Sequence, residues 1–123
     1  MTLSPNDPKT WRNIAEHPAF EEKPFDPSWY DGDIDVDIRM LESAAIAILS
    51  HFPDYSCELI VLDDCTVYFE VTNQQSIVAS VYPSDTDDYR RCYFVDIEGV
   101  NDEMRFETID LMIEMLRAAS QLP

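Results

Sequence analysis

The stretch at residues 57–97, CELIVLDDCTVYFEVTNQQSIVASVYPSDTDDYRRCYFVDI, decides the fold. Runs rich in Val, Ile, Tyr, Phe and Thr alternate there with short polar links, which is typical of β-strands joined by tight turns. We predict four strands, at residues 57–62, 65–72, 76–83 and 89–97. Because links this short connect only antiparallel neighbours, the strands are expected to form an antiparallel meander.

Helical spacing of apolar residues occurs on both sides of this meander. Residues 38–52 are apolar around most of the helix circumference, which predicts a first helix that begins near Asp35 and is buried on more than one side. A second helix is predicted from Asn101 or Asp102 to about Ser120. The predicted fold class is therefore α+β, a two-layer sandwich with the element order α-β-β-β-β-α.

The two helices can cover only one face of the predicted sheet. The other face would carry Tyr68, Val78, Tyr82 and either Tyr93 or Phe94, and is therefore more apolar than the wet face of a half-solvated sheet. We expect the N-terminal arm or a partner to cover that second face.

The first 33 residues contain five of the eight prolines and no long helical pattern. We predict that residues 1–33 form an irregular arm packed on a single α+β domain at residues 34–123. The aromatic residues of the arm are its expected anchors: Trp11, Phe25, Trp29 and Tyr30. Contact of these aromatics with a partner is the alternative, since Trp and Tyr are enriched in binding hot spots.

Net charge is the outstanding property of the composition. Twenty-five acidic against eight basic residues give a net charge of −17, and residues 40–89 contain no Lys or Arg. This balance disfavours direct binding to nucleic acid or to an anionic membrane, because both attract basic surfaces. It favours a basic protein partner, although acidity that serves only solubility is an open alternative.

Sequence signatures of catalysis and of cofactor binding are missing. The chain has two histidines, two glycines and three cysteines without CxxC spacing, so neither a zinc motif nor a phosphate-binding loop is present. We expect a non-enzymatic protein without cofactor. Cys57, Cys65 and Cys92 are interpreted as buried reduced thiols of a cytoplasmic protein, with a Cys57–Cys65 disulfide as the alternative. We see no signal peptide and no membrane-spanning stretch.

One acidic stretch resembles a calcium-binding loop. Counted from Asp31, acidic residues occupy positions 1, 3, 5 and 7, and Glu42 occupies position 12. Val36 stands where an EF-hand has its glycine. We therefore interpret Asp35 or Asp37 as the residue that caps the first helix, and keep calcium binding as an alternative.

These observations favour a small acidic inhibitor of the kind that bacterial immunity proteins represent, which would neutralise a basic toxin or nuclease by blocking its cleft. Acidic residues of the third link and of the last helix are its predicted partner-binding residues: Asp85, Asp87, Asp88, Glu103, Glu107, Asp110 and Glu114. Two alternatives stay open. One is a secretion-type chaperone that forms a homodimer through the 38–52 helix, and the other is a nucleic-acid-mimicking inhibitor of a defence enzyme.

Overall fold

The fold is α+β, with one antiparallel sheet and two helices. The computed structural model describes residues 3–21, 26, 28, 30, 32–62, 66–74, 76–85, 90–100 and 104–120. Three short 3-10 helices open the chain, at Pro8–Thr10, Ile14–Glu16 and Pro18–Phe20. The main elements follow in order: α1 (Ile34–His51), β1 (Tyr55–Val61), β2 (Val67–Asn73), β3 (Ser76–Asp85), β4 (Arg91–Ile97), β5 (Met104–Phe106) and α2 (Ile109–Ser120).

The sheet is a meander in which strands adjacent in sequence are adjacent in space, in the order β1-β2-β3-β4-β5. One row of apolar residues crosses all five strands in register: Leu59, Phe69, Val81, Val95 and Met104. The first four of these side chains are at most 1% exposed. They join one buried cluster with residues of α1 and α2, so both helices lie on this face of the sheet, here called the inner face.

A fifth strand replaces the first turn of the predicted last helix. β5 pairs with β4, with Phe106 opposite Tyr93, and α2 begins only at Ile109. The predicted four strands and the order α-β-β-β-β-α were therefore wrong by one strand. Gly99 has φ of +85°, which favours glycine, and lies in the turn that follows β4. The chain then returns along the free edge of β4, where backbone pairing outweighs the helical spacing of the side chains.

The described part of the arm packs on the inner face and on the edge of the sheet. Trp11 is fully buried, with its ring centroid 5.4 Å from that of Phe69. The carbonyl of Pro5 accepts two hydrogen bonds, from the Trp11 indole at 3.1 Å and from the Leu59 N–H at 2.8 Å. The expectation that the arm covers the second face was therefore wrong for these residues. Phe25 and Trp29, two of the predicted anchors, lie outside the described residues.

His17 completes the contact between the arm and β1. Its Nε2 lies 3.0 Å from the carbonyl oxygen of Leu59, while its Nδ1 accepts the Ala19 N–H at 3.0 Å. This pair of contacts fits the neutral tautomer that carries its proton on Nε2. Together, Pro5 and His17 satisfy both backbone groups of Leu59 at the edge strand, which removes a site for unwanted strand pairing.

The cap of α1 lies two residues before Asp35, the nearer of the two predicted caps. Asp33, and neither Asp35 nor Asp37, caps the helix, because its Oδ1 accepts the N–H groups of Asp35 and Val36. Residues 34–42 are helical, which does not fit the calcium-binding loop that was the alternative interpretation. Glu42, which would be the last ligand of such a loop, binds the Arg12 guanidinium with both carboxylate oxygens, at 3.0 and 3.1 Å.

Candidate functional site

The second face of the sheet, here called the outer face, is formed by the alternate residues of the five strands. Three sets of opposite residues define it: Glu58, Glu70, Ser80 and Asp96; Ile60 and Tyr68; and Tyr82, Phe94 and Arg105. Four of its large apolar side chains are half-buried and do not belong to the core cluster: Ile60, Tyr68, Tyr82 and Phe94. The outer face therefore holds an apolar set that the core does not use.

Three rings in contact form an aromatic stripe, Tyr68, Tyr82 and Phe94. The rings of Tyr68 and Tyr82 stack with centroids 4.5 Å apart, and Phe94 meets Tyr82 edge-on at 5.9 Å. Such pairs add about 0.5–1.5 kcal/mol each beyond the area they bury. The stripe is thus fixed in place before any partner arrives, so little conformational entropy is lost when a partner binds there.

An acidic row runs beside the aromatic stripe and consists of Glu58, Glu70 and Asp96. Glu58 lies directly opposite Glu70, and Ser80 separates Glu70 from Asp96. Like charges opposite each other destabilise a sheet. Among the described strand residues of the outer face, Arg105 is the only base. The carboxylates of Glu58 and Glu70 therefore repel each other, and a Lys or Arg in place of either one would remove this repulsion.

The carboxylates of the row act on the rings of the stripe. Burial raises the pKa of Tyr68, and the negative charge of Glu70 raises it further. For Tyr82, burial again raises the pKa most, followed by the charges of Asp96 and Glu70. The Tyr68 hydroxyl also lies 3.5 Å from Oε1 of Glu70. The carboxylates of the acidic row are thus close enough to the tyrosine rings to interact with them electrostatically, and they give this surface a negative potential.

Replacing Glu70 by Gln tests this interaction. We expect the pKa of both Tyr68 and Tyr82 to fall, because one neighbouring negative charge is lost, yet to stay above the ordinary value because the burial remains. Ring-carbon NMR during an alkaline titration measures each tyrosine separately. Glu16→Gln, an exposed change in the arm, should leave both values unaltered. Equal values in wild type and Glu70→Gln would show that the carboxylate does not act on the rings.

The described residues that were predicted from sequence as partner-binding lie on β3, before α2 and on α2. Asp85 ends β3 and binds the Arg91 guanidinium at 3.0 Å, and Glu107 precedes α2 and lies 3.8 Å from Arg90. The prediction that Glu107 lies on the last helix was therefore wrong, because α2 begins at Ile109. Asp110 and Glu114 are exposed on α2. The other three predicted residues, Asp87, Asp88 and Glu103, lie outside the described residues.

Sequence reasoning did not single out the residues of the acidic row. Glu58, Glu70 and Asp96 are far apart in sequence, and only the register of four strands brings them into one row. A bulge between Val71 and Thr72 shifts that register in the middle of the sheet. The available signal was the alternation itself, because it places Glu70 on the same face as Tyr68 and Asp96 on the same face as Phe94.

The described thiols are buried, and the described His51 imidazole contacts an arginine. Burial raises the pKa of the Cys57 thiol to about 12, and burial also raises the pKa of Cys92. Both are free thiols, whereas Cys65 lies outside the described residues. His51 Nδ1 lies 3.3 Å from the Arg117 guanidinium. Within the described ranges, no group of three or more His, Cys, Asp or Glu side chains is arranged to hold a metal ion.

No family model, curated protein or solved structure matches this chain. Nothing is therefore carried over from a relative, and function has to be argued from the residues themselves. Neither described helix has both the length and the apolar character needed to cross a bilayer. The outer face, with its aromatic stripe and its acidic row, is the candidate functional site that remains.

Proposed function

We propose that this protein is a small acidic inhibitor, of the immunity-protein type, that binds a basic toxin or nuclease through the outer face of its sheet. The observation that carries this proposal is the acidic row beside a preformed aromatic stripe, on a face that the core does not use. Aromatic side chains supply binding energy at interfaces, while carboxylates around them select cationic partners.

Electrostatics support a basic partner in two ways. The net charge of −17 attracts a cationic protein from a distance and speeds its association. At contact, cationic groups placed near Glu58 and Glu70 would relieve the repulsion between these opposite carboxylates. Binding would then stabilise the inhibitor as well as the complex, because a ligand that binds only the folded state raises its stability.

The environment of α1 supports an inhibitor over the secretion-type chaperone. The chaperone alternative relied on an over-apolar 38–52 helix that pairs with a second subunit. In the structure, Leu41 and Ile48 of this helix are fully buried in the core, and the 3-10 helix at Pro8–Thr10 packs along it. Its large exposed apolar residues are Val36 and Ile46, ten positions apart. The arm thus accounts for much of the apolar character that suggested a homodimer.

Free thiols at Cys57 and Cys92 fit an inhibitor that works in the reducing cytoplasm. In that compartment, an acidic inhibitor can neutralise a toxin or nuclease before it reaches nucleic acid. A nucleic-acid mimic would also present carboxylates, but aromatic side chains stacked across two strands have no counterpart in a phosphate backbone. The aromatic stripe therefore favours recognition of a protein cleft by shape as well as by charge.

A triple variant tests the proposed surface. Glu58→Gln, Glu70→Gln and Asp96→Asn together remove the acidic row while keeping side-chain size. We expect affinity for the basic partner to fall by about tenfold or more, because each lost charge contact is worth roughly 0.5–1 kcal/mol at an exposed rim. The measurement is capture of partners by the immobilised protein from its native cells at low and at high salt, followed by titration of the captured protein.

A matched control variant carries Glu16→Gln, Asp110→Asn and Glu114→Gln. It changes net charge by the same amount, and two of its sites belong to the surface predicted from sequence. A partner retained by the control and lost by the outer-face variant supports the proposed surface. Equal losses in both variants would mean that only net charge matters. Loss in the control alone would move the binding surface to α2, and capture of no basic protein by wild type would contradict the proposed function.

A further inference from the structure

A guanidinium of the protein itself, that of Arg105, already contacts the aromatic stripe. The guanidinium carbon of Arg105 lies 5.7 Å from the centroid of the Phe94 ring, and these two residues stand opposite each other on β5 and β4. This distance is within the range of a cation–π contact. Arg105 is exposed, and within the described residues no carboxylate lies at ion-pair distance from it. Among the described residues, its guanidinium therefore lies beside a ring and not beside a carboxylate.

Asp96 is the next residue of β4 after Phe94 that points to the outer face. It follows Phe94 by two residues on the same strand and therefore on the same face, about 6.6 Å away along the strand. Its neighbour on β3 is Ser80, which has no positive charge to offer it. A guanidinium over Phe94 that came from outside could thus stack on the ring and donate hydrogen bonds to the Asp96 carboxylate. A lysine ammonium offers no planar surface for stacking and cannot bind a carboxylate with two parallel bonds.

We infer that the partner inserts an arginine side chain over Phe94, where it displaces Arg105 and binds Asp96. This inference rests on the proposed function, because it names the chemistry by which the outer face selects its basic partner. Arg105 then has a defined role. In the free protein it shields the ring from water, and in the complex it turns away into solvent, which its exposed position on the short strand β5 permits.

Two peptides of equal charge test the inference. One is a short Gly-Ser peptide that carries several arginines, and the other has lysine at the same positions. Titrated into isotope-labelled protein and followed by NMR, the arginine peptide is expected to bind about fivefold more tightly, with the largest shifts at Phe94 and Asp96. Phe94→Leu keeps an apolar side chain and removes the ring, so the preference for arginine should vanish while charge-driven binding of both peptides remains.

Arg105 provides a second and opposite test. Arg105→Gln frees the Phe94 ring and is expected to tighten binding of the arginine peptide roughly threefold. Arg39→Gln, on α1, changes net charge equally and should affect both peptides alike and only slightly. Equal affinity for the two peptides, or a preference for arginine that survives Phe94→Leu, would overturn the arginine inference and leave the proposed function standing. Failure of wild type to bind either peptide would overturn both.

Discussion

Trp11→Ala is expected to lower the free energy of unfolding by about 3–5 kcal/mol, the range for loss of a fully buried aromatic side chain. Trp11 has no exposed surface and packs its ring on Phe69, a residue in the central row of the inner face. Its removal leaves a cavity between the arm and β2. The total stability of a domain of this size is about 5–15 kcal/mol, so the variant should lose a large part of it.

The loss of stability should exceed that of an ordinary core truncation, because the indole also donates a hydrogen bond. Its Nε1–H donates to the same Pro5 carbonyl that accepts the Leu59 N–H. Without the ring, the arm loses the contact that holds this carbonyl against the edge of β1. Trp11→Phe keeps most of the packing but loses the hydrogen bond and part of the ring volume, so it should cost less, roughly 1–2 kcal/mol.

Equilibrium unfolding in urea measures both variants. Val36→Ala, at a position of α1 that is 41% exposed, is the matched control and should stay within about 0.5 kcal/mol of wild type. A loss below about 1 kcal/mol in Trp11→Ala would mean that the arm is dispensable for folding. In that case the aromatic residues of the arm would be available to a partner, as the alternative interpretation of the sequence holds.

Much of the sheet could be predicted from sequence because strand signals are local. Period-two alternation in residues 65–72 places Val67, Phe69 and Val71 on one face, and all three are buried in the structure. The strand ends agree to within two residues for β1 to β4. The same local signal failed at Met104–Phe106, because three residues are too few to show a period and their apolar positions also continue the pattern of α2.

The candidate site was harder to predict because it depends on contacts between distant segments. Glu58 and Glu70 are opposite each other only in the register that the β1–β2 pairing sets, and Asp96 joins them across β3. The sequence shows many acidic residues and does not rank them. What distinguishes these three acids is the position of both helices and the described arm on the inner face, which leaves the outer face uncovered by them.

Asp37→Ala is expected to cost about 2–4 kcal/mol, since it leaves a buried network without its carboxylate. Asp37 accepts a hydrogen bond of 2.6 Å from the Tyr30 hydroxyl and forms an ion pair with Arg91. Arg91 also binds Asp85 at 3.0 Å. One carboxylate thus joins the arm, the first turn of α1 and the start of β4. Arg91 is 40% exposed and can turn to water, which keeps the cost below that of a fully buried pair.

The control for this prediction is Asp35→Ala, in the same first turn of α1. Both substitutions remove one negative charge from the positive end of the helix dipole, a loss of roughly 0.3–1 kcal/mol. Only Asp37→Ala also removes the contacts with Tyr30 and Arg91, so the difference between the two variants measures the network. Equal costs would show that helix-end charge explains the effect. In a double-mutant cycle with Arg91→Ala, we expect a coupling of about 1 kcal/mol or more that persists in high salt, because buried charges are weakly screened.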